Sequence, residues 1–250
     1  MTSGCLRDRR ILVTGGTRGI GAAVSLQLAQ QGATVIANYV RNQKAADKLL
    51  ADHPEQAKRI ALLRADVSRE SGIQKIVDSP HCQTLDGIVH CAVTGVHKPL
   101  AELTLREWDW TFDVNLRSFF ALVIALQHRF APQASVIALS SEGSQRASGN
   151  YALVGATKGG LESLCRHLAF ELRSKQVRVN TVSAGSIVTD AWNAFPDRKE
   201  RLDELNALLG EDGRLSLQDV ASAVAFLVGP ESRGINATTL IVDRGERVFR

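Results

Sequence analysis

The run Thr14-Gly15-Gly16-Thr17-Arg18-Gly19-Ile20-Gly21 joins an apolar stretch, Ile11-Leu12-Val13, to residues 22–29, whose apolar side chains recur at helical spacing. A strand, a glycine turn and a helix bring free backbone N–H groups to a point where a pyrophosphate can bind. Gly15 can turn tightly, Gly19 lets backbone approach a ligand, and Gly21 permits close helix–strand packing. Thr17 and Ile20 complete the turn. Further along, Tyr151 and Lys158 stand seven residues apart. On a continuous helix they share nearly one face but lie roughly 10.5 Å apart along the axis. That is too far for contact, yet both can face one cofactor and one substrate.

The elements that must position these groups follow from pattern. Short apolar or β-branched runs at residues 11–14, 34–39, 60–63, 87–91, 135–140, 177–182 and 238–242 alternate with segments of period near 3.6, such as Leu161, Leu164, Cys165, Leu168 and Leu172. The fold expected is α/β, a Rossmann-type doubly wound seven-stranded parallel sheet with helices on both faces. Ligands then sit at the carboxyl ends of the strands, beside strand one. No repeat or linker divides the 250 residues, and 44% hydrophobic content supports one large core, so residues 1–250 read as one domain.

Composition excludes several classes. The net charge of +4 is mild and both signs are interspersed, which argues against nucleic-acid binding. Cys5, Cys82, Cys91 and Cys165 lack metal-ligand or redox spacing, so no metal site is expected and a reducing compartment is. No apolar run nears the roughly 18 residues of a membrane span, and the N-terminus lacks an apolar signal core. A cytoplasmic location is expected.

Asn38-Tyr39-Val40-Arg41 ends the second strand, where such folds read the adenosine ribose. No acidic residue stands there to repel a 2′-phosphate. Arg41 and Arg18 could clamp one with charge-assisted bonds, which predicts NADPH rather than NADH, with Tyr39 alongside. Asp66-Val67, after the third strand, is placed to hold the adenine edge; a helix N-cap is the other reading of Asp66.

The Gly-x3-Gly-x-Gly spacing resembles the short-chain dehydrogenase/reductase family. His90-Cys91-Ala92-Val93 stands where that family shows Asn-Asn-Ala-Gly, and only Ala92 matches. The resemblance implies cofactor contacts at Cys91 and Ala92, with Val93 toward the substrate; His90 and Cys91 otherwise read as packing groups. Ala184-Gly185-Ser186-Ile187-Val188-Thr189 is similar to the family's Pro-Gly-x-Ile-x-Thr turn, which implies that Ile187 and Thr189 fix the nicotinamide carboxamide.

Most of that family carries Tyr-x3-Lys. The Tyr-x6-Lys of Tyr151 and Lys158 looks like its enoyl-acyl carrier protein reductases. Glu107-Trp108-Asp109-Trp110-Thr111, Asn150-Tyr151, Val154-Gly155, Thr189-Asp190-Ala191 and Asn193-Ala194-Phe195-Pro196-Asp197-Arg198 resemble the third, short-chain-dehydrogenase-like type. This implies NADPH-dependent reduction of the trans-2 double bond of an acyl thioester, with hydride to C3 and charge on the thioester oxygen. Tyr151 would stabilise that enolate, because the proton-bearing group must sit further from the hydride donor than in ketone reduction. Lys158 would bind the nicotinamide ribose and favour the Tyr151 anion. Asn115 would support Lys158 through water, and Ser141, with Ser140 as the other choice, would be a second donor. Trp192 and Phe195 would line the acyl pocket within a substrate cover at about 188–214. Trp108 and Trp110 read as helix packing. The resemblance also implies a homotetramer, and the acyl group rides on a carrier protein or coenzyme A; Arg198, Lys199 and Arg201 are candidate contacts for the acidic carrier protein. The competing readings are a carbonyl reductase with a rearranged tyrosine loop and a non-catalytic NADP-binding sensor.

Overall fold

The computed structural model describes residues 5–189, 193 and 195–249. The apolar runs form seven strands: β1 (Arg10–Thr14), β2 (Thr34–Tyr39), β3 (Ile60–Arg64), β4 (Leu85–His90), β5 (Phe130–Ser141), β6 (Arg178–Ala184) and β7 (Thr239–Val242). They make one sheet in the order β3-β2-β1-β4-β5-β6-β7, with every pairing parallel. Parallel strands need crossovers, and helices α1 (Gly19–Gln30), α2 (Gln43–Asp52), α3 (Pro54–Ala57), α4 (Glu70–Val77), α5 (Leu105–Phe112), α6 (Ser118–Leu126), α7 (Ala152–Glu171), α8 (Arg198–Leu209), α9 (Leu217–Val228) and α10 (Glu246–Phe249) supply them or flank them. The expected architecture is the one found.

Alternation along the strands divides the core into two layers. Ile11 and Val13 of β1 pack with Val24 and Leu28 of α1 and Val220 and Val224 of α9. Leu12 points the other way, with Ile76, Phe119, Leu122, Leu161 and Leu168 from α4, α6 and α7. Burying one such side chain is worth about 1.5–3 kcal/mol, so each face holds its helices firmly.

Strand order reverses at β1, which pairs β2 on one side and β4 on the other. The crevice above this point receives the glycine turn, the β4 end and the β2 end. Between α5 and α6 lies a π-helical turn, Asp113–Arg117, where Asn115 faces inward and is fully buried. Trp108 and Trp110 are 42% and 44% exposed, and Trp108 stacks on Phe112 at 4.0 Å. Helix packing is expected of them, yet the buried residue of α5 is Thr111, and both tryptophans stay exposed on either side of it.

Candidate active site

The glycine turn fits a pyrophosphate. Gly15 has φ +61°, and a Cβ there would meet Ala92 Cα and Cys91 C at 3.1 and 3.2 Å, so the turn lies against the β4 end. Gly19 has φ +53° with open space around it, as backbone approach to a ligand requires. At Gly21 a Cβ would fall 2.1 Å from the Gly15 carbonyl oxygen, so α1 packs directly on the turn. No side chain caps α1 and no acidic residue occupies its first turn, which leaves its N–H groups and positive pole for an anion. Gly16 N–H donates to the Asn38 carbonyl at 2.9 Å, and Asn38 Nδ2 donates to the carbonyls of Leu63 on the next strand and Ala65 just after it. The β2 and β3 ends are thereby fixed relative to the turn.

At the adenosine end, Arg18 and Arg41 are both exposed. Arg64, which the sequence reading left out, ends β3 beside Tyr39 in register and donates Nε to the Val40 carbonyl at 3.1 Å. It lines a cleft with Asp66, Ser71 and Lys75. Tyr39 is corrected: its ring is buried and its hydroxyl bonds Gln43, so its side chain is not free to meet a ribose. Asp66 caps no helix; α4 begins after Arg69, and Asp66 closes its own turn by accepting from Ser68 N–H and Oγ. The Val67 side chain is core, which leaves only its backbone for an adenine.

His90 is more than a packing group. Its Nε2 faces the Asn115 carbonyl at 3.3 Å, and an oxygen there can only accept, so Nε2 carries the proton. Nδ1 therefore accepts from Thr14 Oγ1 at 2.9 Å, and Thr14 Oγ1 accepts from Ala92 N–H at 3.1 Å. Burial, with the Lys158 charge opposing protonation, holds this imidazole neutral, down at about 3. One side chain thus ties β1, β4 and the π turn together where the family uses asparagine. His90→Ala should lower stability by about 2–4 kcal/mol, read in a denaturant melt, because a cavity and unpaired groups remain. Cys91 stays a thiol, pushed up to about 12 by burial.

On the chemical side, Tyr151 stands just before α7 rather than within it. Its hydroxyl lies 3.2 Å from Ser141 Oγ, at the β5 end. Ser140 is removed from contention, since its hydroxyl donates to buried Glu162 at 2.6 Å. Glu162 also accepts from Ser144 at 2.6 Å and Gln145 at 3.3 Å, so this carboxylate holds the segment between Ser141 and Tyr151. Lys158 is buried and donates Nζ to the Leu139 carbonyl at 2.8 Å. Desolvation brings it down to about 8.

Two expected roles change. Burial first, with Glu142 adding, raises Tyr151 above its ordinary value despite the Ser141 bond, so it is a neutral phenol at neutral pH rather than a lysine-supported anion. Asn115 spends its side chain on Thr94 N–H (2.8 Å), Thr94 carbonyl (2.9 Å) and Thr157 Oγ1 (3.1 Å). It joins the loop after β4 to α7 next to Lys158, so it positions the lysine's helix.

Ile187 is buried and Thr189 half-buried after β6, where the preceding turn is held by Glu246, which accepts from Ser186 N–H and Oγ at 2.7 Å each. Val93 is 51% exposed on the loop after Ala92. Phe195 stacks near-parallel to Tyr151, with ring centroids 6.1 Å apart. Trp192 lies outside the described residues. Among the described residues no cluster of metal-ligating side chains occurs, and no helix is long and apolar enough to cross a membrane.

Comparison with known proteins agrees with this fold. Residues 15–246 match the family described as Enoyl-(Acyl carrier protein) reductase. The chain is 33% identical over 248 residues to the 1-cyclohexenylcarbonyl-CoA reductase of Streptomyces collinus, covering 95% of this chain and 87% of that protein. It is 30% identical over 257 residues to the hydroxynaphthalene reductase-like protein Arp2 of Metarhizium robertsii, covering 96% and 95%. A short-chain dehydrogenase from Burkholderia cenocepacia, solved in complex with NADP, superposes with a TM-score of 0.85 at 30% identity, covering 97% of this chain and 99% of that one. The chain belongs to the short-chain dehydrogenase/reductases, in the family of enoyl-(acyl carrier protein) reductases.

Proposed function

We propose that this protein reduces the C2–C3 double bond of an acyl thioester with NADPH. The observation that carries the reading is a neutral Tyr151 paired with Ser141 at 3.2 Å while Lys158, seven residues on, is turned to the β5 backbone. Bound NADPH supplies the hydride that saturates C3. Tyr151 and Ser141 then donate hydrogen bonds to the thioester oxygen, where negative charge collects. Lys158 is largely charged at neutral pH and holds the ribose hydroxyls. The reductase of S. collinus, by its name, acts on such a thioester.

A second reading is ketone reduction, because the same two hydroxyls suit a ketone oxygen and the M. robertsii relative is named for a hydroxynaphthalene. NADPH oxidation followed at 340 nm with crotonyl and with 3-ketoacyl thioesters separates the two. Consumption with the enoyl substrate alone supports the proposal, and turnover of the keto substrate alone overturns it.

Cofactor choice rests on Arg18 and Arg41, with Arg64 beside them. The double variant Arg18→Gln/Arg41→Gln should weaken NADPH binding about 10²-fold in a fluorescence titration while barely changing NADH, given roughly 1.5–3 kcal/mol for each bond to a charged group. The acyl group rides on a carrier protein or coenzyme A. Arg201 is not a free contact for that carrier, since it bonds Asp197, Ser148 and Gly149. Arg198 bonds Asn193, which leaves exposed Lys199 as the better candidate. Exposed Trp108, Trp110, Phe120, Ile124 and Phe170 on α5, α6 and α7 fit a homotetramer interface. Four free thiols fit a reducing cytoplasm.

A further inference from the structure

His97 lies on the loop between β4 and α5 and has no part in the chemistry so far. Its ring stacks on Tyr151, with centroids 5.6 Å apart and planes 18° from parallel. The Phe195 ring lies against it, tilted, with centroids 3.8 Å apart, and Arg201 lies over Phe195 at 4.5 Å. Nδ1 is buried and has no hydrogen-bond partner among the described residues. Buried polar atoms almost always have partners, so an unpaired nitrogen next to a candidate catalytic phenol marks a place for substrate chemistry.

The enoyl-thioester reading leaves one chemical need unmet. After C3 is reduced, the enolate held by Tyr151 and Ser141 must gain a proton at C2. Tyr151 is occupied at the oxygen, two atoms away. We propose that His97 is the general acid that protonates C2; this inference rests on the enoyl-thioester reading. An N–H bond of the imidazolium breaks and the C2–H bond forms. The enolate electron pair becomes that C–H bond as the thioester C=O is restored. The nitrogen keeps the N–H electron pair, and solvent reprotonates the neutral ring.

The surroundings suit an acid. Burial, the first cause, and the Arg201 charge lower the affinity of His97 for its proton, whereas the Asn150 carbonyl and Asp197 support the charged ring. At the start of α7 the facing group is the neutral Tyr151, and at the start of α8 the charged neighbours are Arg201 with its partner Asp197. An imidazolium held in this balance gives up its proton readily to carbon. The sign is fixed: the protonated ring is the active form, so kcat declines as pH rises through the His97 titration.

The test uses wild type and His97→Gln with NADPH and a crotonyl thioester. The wild type should lose rate as pH rises within about pH 5–7, below the range in which Lys158 releases its proton. His97→Gln should lower kcat about 10²-fold, abolish that limb, and bind NADPH with unchanged fluorescence-titrated affinity. A kcat within threefold of wild type, or a limb within about pH 5–7 that survives in the variant, overturns the role. Should the variant not fold, the wild-type profile decides: a limb matching the His97 titration seen by NMR supports the role, and a flat profile or an unmatched limb ends it. Reduction of 3-ketoacyl but not enoyl substrate overturns the reading beneath it as well, a result distinct from failure of His97 alone.

Discussion

Tyr151→Phe should lower kcat by about 10²–10³-fold, the usual consequence of deleting one preorganised donor at a developing oxyanion. NADPH should still bind, because the cofactor turn, the arginines and Lys158 are untouched. Phenylalanine keeps the ring that stacks on His97 and Phe195, so the fold and the pocket wall persist and only the hydroxyl at 3.2 Å from Ser141 is lost. The decisive comparison is turnover against a fluorescence titration with NADPH. Turnover within threefold of wild type would remove Tyr151 from the chemistry. Lost cofactor binding with a lowered melting temperature would mean that the substitution acted through the structure.

Lys158→Met should do two opposite things. Turnover and NADPH affinity should fall sharply, because the ammonium at the β5 end is the cation placed to hold the ribose. The free protein, however, should become more stable. An ordinary lysine titrates near 10.5, and burial brings this one to about 8, which is about 3 kcal/mol of cost for keeping the charge inside. Losing the bond to the Leu139 carbonyl returns roughly 1 kcal/mol of that. The net gain of about 2 kcal/mol corresponds to roughly 4–8 °C in Tm. The pH dependence has a definite sign. Between about 8 and 10.5 the unfolded chain holds a proton that the folded chain has released, so wild-type stability rises with pH across that window. Below 8 both states are protonated and the penalty is constant. The variant should lack this slope, measured as the difference between the two proteins' melts at matched pH without cofactor. A parallel pair of curves would contradict the buried, destabilised ammonium.

The strands were legible because β-branched and apolar runs bounded by turn residues are what a sheet buried on both faces requires. The β5 start was missed: Pro132 and Gln133, the latter at φ +64°, interrupt the apolar run that would have announced it. Arg64 went unnamed because it falls one residue beyond the apolar part of β3. The glycine turn could be read down to the work of each glycine, since backbone demands are local. His90 and Asn115 could not, because their partners lie 76 and up to 42 residues away in the chain. Glu162 carried a usable signal, a carboxylate on the buried face of a helix, and a buried charge needs donors around it. His97 carried none; its meaning comes from Tyr151 and Phe195 converging on it in space.

The π turn at Asp113–Arg117 adds one residue to a helical path. Fully buried Phe119, Leu122 and Leu126 point into the sheet beyond it. Losing a single codon there would remove the extra residue, restore an unbroken α-helix and leave α6 in the phase it already has. The apolar face of α6 would stay on the core, and the cost of the deletion would fall on the widened turn, where Asn115 holds Thr94 and Thr157.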